Sequence, residues 1–165
     1  SGCGASLDDV AALTAEAWIY PKTIGVNCAG FIVAKGNGTT PTNGWAFKLI
    51  ATNAIEFRAD FSGASDVIRV TSDNSIILNT WQHVLVTWDG TVDSTKVHMY
   101  VNGVEVTYQT TNSSSGNLNS DASNPFRMGV SGDLERYFKG LIDDVRIYNR
   151  VLSAGEINKL YQMGR

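Results

Sequence analysis

Apolar and polar residues alternate in short runs along most of the chain, separated by clusters of Gly, Asn, Asp and Thr. From Thr14 to Tyr20, Glu16, Trp18 and Tyr20 fall on one face and Ala15, Ala17 and Ile19 on the other, which predicts a strand ended by Pro21. Phe31 to Ala34 is a short continuous apolar run, as a strand buried on both faces requires. Lys35 to Asn43 is rich in Gly, Asn, Thr and Pro and predicts a loop. Trp45, Phe47 and Leu49, then Ile55, Phe57 and Ala59, repeat at every second position, with Glu56, Arg58 and Asp60 on the opposite face of the second set. Val67 to Thr71, Trp81 to Trp88 and Lys96 to Val101 are further strands. Asn102-Gly103 predicts a two-residue hairpin turn, since both positions tolerate positive φ, with Val104 to Tyr108 returning. Gln109 to Asn124 is almost entirely Ser, Thr, Asn and Gly and reads as the longest loop; Pro125 to Val130 resumes β.

Near the end the period changes. Phe138 to Tyr148 has the pattern of a strand, with Val145 and Ile147 two apart. After Leu152 the spacing is helical: Ile157, Leu160 and Tyr161 sit at i, i+3 and i+4. Ser153 and Glu156 have the spacing of a capping box, and Leu152 is placed to staple onto Ile157. Regularly spaced short strands and one terminal helix predict an all-β fold: a two-sheet antiparallel jelly-roll β-sandwich with a short C-terminal helix.

Composition narrows the partners. The 165 residues suit one domain, 1–165, large enough to fold without staples. Net charge is −3, which argues against nucleic acid or an anionic membrane surface, both of which need a basic footprint. No apolar run approaches the ~20 residues of a membrane-spanning helix. Charged residues are scarce at 18% and glycines number 16, a balance typical of extracellular β domains. The chain opens at Ser1 without Met or a signal-like apolar stretch, so a processed product or a module of a larger protein is expected. Cys3 and Cys28 are the two cysteines; a disulfide closing about 25 residues and two free buried thiols are both open.

Four segments together resemble the laminin-G-like and pentraxin-like concanavalin A-type jelly roll. They are Leu13 to Pro21, Trp81 to Gly90, Val97 to Gly103, and Tyr137 to Arg150 followed by Leu152-Ser153 and Glu156-Ile157. The resemblance implies two curved sheets packed face to face. It also implies a lectin, carbohydrate-binding or adhesion role, on secreted, cell-surface or virion-associated proteins. Many relatives carry calcium, so one structural Ca2+ is an expectation. The resemblance departs in two places. The strand before Leu13 is expected to be short or missing, and Ser131-Gly132-Asp133-Leu134-Glu135 stands where pentraxins have a longer acidic calcium loop.

Candidate chemistry follows from residue types. A retaining glucanase needs two carboxylates ~5 Å apart. Glu56 and Asp60 share a strand face, but Arg58 between them suggests a salt-bridge ladder instead. Asp143 and Asp144 are adjacent, so regular alternation sends them to opposite faces and prevents them from acting as a pair. His83 and His98 lack evident partners and read as surface or edge residues, so no catalytic group is assigned. For calcium, Asp8, Asp9 and Asp144 are the acids that paired terminal strands would bring together. For a glycan, Trp18, Trp45 and Trp81 read as structural. The candidates are loop rings and amides: Asn37, Thr40 and Asn43 in one loop, Tyr108 and Asn112 in another, Arg136 and Tyr137 in a third. The function expected is a non-catalytic glycan-binding module. The alternatives are an adhesion or structural module that binds a surface protein and, less favoured, a polysaccharide hydrolase.

Overall fold

The computed structural model describes residues 7–38 and 40–164. Its strands are β1 (Leu13–Pro21), β2 (Ala29–Asn37), β3 (Thr42–Ile50), β4 (Ile55–Ala59), β5 (Val67–Thr71), β6 (Gln82–Trp88), β7 (His98–Val101), β8 (Val104–Glu105), β9 (Tyr108–Asn112), β10 (Phe126–Met128) and β11 (Gly140–Tyr148), followed by helix α1 (Ala154–Met163). They form a five-stranded sheet, β11-β1-β6-β7-β8, and a six-stranded sheet, β10-β2-β3-β4-β5-β9. Every pairing is antiparallel. This is the two-sheet sandwich with one short C-terminal helix that the pattern predicts.

The alternating residues meet between the sheets. Leu13, Ala15, Ala17 and Ile19 of β1 and Val84, Val86 and Trp88 of β6 pack against Trp45, Phe47 and Leu49 of β3 and Ile55, Phe57 and Ala59 of β4. Trp88 lies 5.6 Å from Phe57, tilted, and 6.0 Å from Phe61, edge-on, the geometries that aromatic quadrupoles favour. Helix α1 covers the outer face of the five-stranded sheet through Leu152 and Ile157 on Leu85, flanked by Tyr100, Tyr148 and Leu160. Its capping box forms as expected, with Ser153 accepting from the Glu156 amide and Glu156 accepting from the Ser153 amide. Thr14 anchors the chain leading into α1: its hydroxyl donates to the Arg150 carbonyl and accepts from the Leu152 amide.

Several boundaries differ from the sequence expectation. The loop expected over Lys35 to Asn43 shrinks to a tight turn, because Lys35–Asn37 stays in β2 and Thr42–Asn43 already belongs to β3. The strand expected from Lys96 opens instead on a 3-10 turn, Ser94–Lys96, capped by Asp93. The return strand Val104 to Tyr108 is two strands in different sheets. β8 ends at Glu105, and the chain crosses so that β9 pairs with β5. Tyr108 secures the crossing, donating to Glu105 and accepting from the Met99 amide with its ring against Arg69. The long loop therefore begins only after Asn112. Asn102-Gly103 turns as predicted, with φ of 52° and 77°.

Candidate functional site

The outer face of the five-stranded sheet, beside the end of α1, carries a concavity of about 320 Å³ lined by Trp18, Trp81, Asp143, Asp144 and Gly164. A bulge builds it. Glu16 pairs with Arg146 and Trp18 with Asp143, so Ala17 alone faces two residues of β11, Asp144 and Val145. Asp144 takes up the extra length at φ 51°. The bulge resets the alternation. Ile142 and Val145, three apart, both reach the core, and Asp143 and Asp144 both line the outer concavity. The expectation that these two acids face opposite sides is corrected, because it assumed an unbroken strand.

Trp18 is held from two sides, 6.0 Å from Tyr161 in a stacked arrangement and 5.6 Å from His83. Trp81 is 41% exposed and leans against Tyr20 at 5.8 Å. Trp18 is packed, as the structural reading expects, and both rings also line the concavity, which that reading did not include. The signal was in the sequence, since Trp18 and Tyr20 share the face of Glu16, which is the face away from the core.

Beneath the concavity lies a charged cluster. Glu16, 0% exposed in its side chain, accepts from His83 Nε2 at 2.8 Å and from Arg146 Nη1 at 3.0 Å. Arg146 also reaches Asp144 at 3.2 Å. Burial pushes the Glu16 carboxyl up, but hydrogen bonds from His83 and Arg146 and their charges outweigh it and hold the group below its ordinary value. His83 is 1% exposed, so its reading as a surface or edge residue is corrected. Its Nδ1 has no hydrogen-bond partner among the described residues. His98 does lie at the surface, half-exposed, bonded to Glu105 at 2.7 Å.

The loop candidates are separated. Asn37 donates to the Asn124 side chain, and the Asn43 amide donates to Asp60, both at the β2–β3 turn, where Thr40 is exposed. Tyr108 and Asn112 lie on β9, at the opposite edge of the six-stranded sheet. Asn112 donates to the Asp66 carbonyl. Arg136 is fixed through its amide to Ser131, and Tyr137 is exposed beside an isolated bridge to Val130. None of these seven lines the Trp18–Trp81 concavity.

The glucanase candidates are engaged elsewhere. Glu56 pairs with Lys48 at 3.0 Å, Arg58 pairs with Asp66, and Asp60 accepts from Asn43 and Asn119. The calcium candidates do not assemble either. Asp8 pairs with the Lys35 ammonium at 2.8 Å, Asp9 accepts from the Asp121 amide, and Asp144 lies in the Trp18 concavity. Among the described residues no group of three or more His, Cys, Asp or Glu side chains is placed to share a metal ion. The predicted set therefore does not fit calcium. Cys28 is exposed, and Cys3 lies outside the described residues.

The chain belongs to the concanavalin A-like lectin/glucanases superfamily, whose laminin G-type family model matches residues 3–158. It is 28% identical over 160 residues to adhesion G-protein coupled receptor V1 of Danio rerio and 26% identical over 156 residues to usherin of Homo sapiens. Each match takes in 92% of this chain but only 2% and 3% of those proteins. Among solved structures, the CBM40 of a Ruminococcus gnavus IT-sialidase bound to α2,3-sialyllactose superposes with a TM-score of 0.68 at 13% identity, over 92% of this chain and 83% of that one. That likeness shows the shared fold. Among the described residues no helix is long and apolar enough to cross a membrane.

Proposed function

We propose that the chain is a non-catalytic binding module of an extracellular or cell-surface protein, and that it binds a glycan in the Trp18–Trp81 concavity. The observation that carries this reading is an exposed indole beside two outward carboxylates in one concavity. An indole face stacks on the C–H face of a pyranose, and carboxylates accept from paired sugar hydroxyls. Superfamily membership and the carbohydrate-binding module with the same fold support the reading. Asp143 and Asp144 carry two carboxylates into the concavity, and Arg146, which pairs with Asp144, is also bound to Glu16, so the concavity is acidic. Neutral or amine-bearing sugars fit it better than the carboxylate-bearing sugar of the CBM40 complex, because like charges repel.

A glycan array tests this, followed by calorimetry with Trp81→Ala. Binding to neutral or amino glycans over sialylated ones is expected, with roughly a tenfold loss on removing the ring, about 1.4 kcal/mol. No binding across the array, or equal affinity for Trp81→Ala, would sink the reading. The 28% match to an adhesion receptor favours a second reading, recognition of a surface protein. A negative array with a measurable complex between this domain and such a protein would select it.

A further inference from the structure

The failure of the calcium set at Asp8 has a specific cause. Lys35, on β2, is 3% exposed in its side chain, and its ammonium is caged by oxygen. Asp8 Oδ1 lies at 2.8 Å, Asp121 Oδ1 at 3.2 Å, the Asp121 carbonyl at 2.6 Å and the Asn124 carbonyl at 3.0 Å. Two carboxylates and two main-chain carbonyls are the donors a hard divalent cation selects. An ammonium has only three protons to donate and one charge to set against two carboxylates.

The surroundings hold the Asp121 and Asn124 oxygens in place independently of Lys35. The Asp9 amide donates to Asp121 Oδ1 and the Asp121 amide to Asp9 Oδ1, at 2.8 and 2.9 Å. The Asn124 side chain donates to the Asn43 carbonyl at 2.6 Å and accepts from Asn37 at 2.7 Å. A cavity of about 420 Å³ adjoins the cage, bounded by Asp8, Lys35 and Asn124 among others, and leaves room for water ligands.

We propose that Lys35 is a tethered cation that performs the structural work of a bound divalent ion. It ties the segment before β1 and the 121–124 turn to β2, and it makes the native domain independent of calcium at this locus. The oxygen cage is a latent divalent-cation site, opened by any substitution that removes the ammonium and leaves space.

Thermal unfolding of the wild type, Lys35→Ala and Lys35→Met in EDTA and in millimolar CaCl2 tests this, with calorimetric titration of Ca2+ into each. The wild-type Tm should be the same in both buffers, with no calcium bound. Both variants should melt roughly 6–15 °C lower in EDTA, since the buried Asp121 carboxylate and the partly exposed Asp8 carboxylate lose their counter-charge. Calcium should bind Lys35→Ala at one ion per chain and recover most of its lost Tm, as a ligand of the folded state does. Lys35→Met, which keeps the bulk but not the charge, should recover little. Calcium-dependent melting of the wild type, no recovery of Lys35→Ala, or its failure to fold even in calcium would each overturn the proposal.

Discussion

Replacing Glu16 with Gln probes the cluster under the concavity. The carboxylate is fully buried and accepts from His83 at 2.8 Å and Arg146 at 3.0 Å. A Gln in the same volume keeps one acceptor oxygen but turns an amide nitrogen either toward His83 or toward Arg146 and the Tyr148 hydroxyl. Removing one member of a buried ionic cluster costs about 3–5 kcal/mol. Arg146 is 36% exposed in its side chain, so solvent recovers part of its charge, which brings the expected cost to about 2–4 kcal/mol. For a domain of this size that is roughly 5–15 °C in Tm. The pH dependence gives the sharper test. The folded Glu16 carboxyl titrates below its ordinary value of 4.5, so its contribution is complete above that pH and is lost as pH falls through the folded value. Below that point the wild-type carboxyl is itself neutral and the two proteins converge. The Arg150 hydrogen bonds hold the Glu156 carboxyl at about 2, and both proteins carry this cap, so its titration cancels in the comparison. Urea unfolding of both proteins at pH 7 and at stepwise lower pH measures the difference. A gap that stays constant across pH, or one under about 0.5 kcal/mol at pH 7, would refute the claim that charge at Glu16 holds the cluster together.

Two further outcomes are expected. Ser153→Ala removes the hydroxyl that caps α1 and should lower stability by about 1 kcal/mol, measured by urea unfolding; no change would mean that α1 contributes little to the folded sheet. Gly164→Ala would place a methyl group 2.1 Å from Trp18 Nε1 at an ordinary φ of −95°, so the clash falls on the concavity rather than on the backbone. Glycan affinity should fall severalfold with a Tm change of only a few degrees; unchanged affinity would detach Trp18 from the ligand.

Local pattern alone determined the sandwich. Side chains alternate with a period of two in a regular strand, so Ile55, Phe57 and Ala59 had to face inward, and all three are buried. The capping box and Asn102-Gly103 were equally legible, because caps and tight turns are written in contiguous residues. The site was not. One extra residue in β11 is compensated only by what lies opposite it in β1, so no reading of β11 alone places Asp143 and Asp144 on the same side. His83 looked unpartnered because its partner lies 67 positions away, and Lys35 looked like loop because its cage comes from Asp8, Asp121 and Asn124. Buried charge is satisfied between neighbouring strands and between segments distant in sequence. Such partners are chosen by tertiary packing, and a one-dimensional pattern carries no record of them.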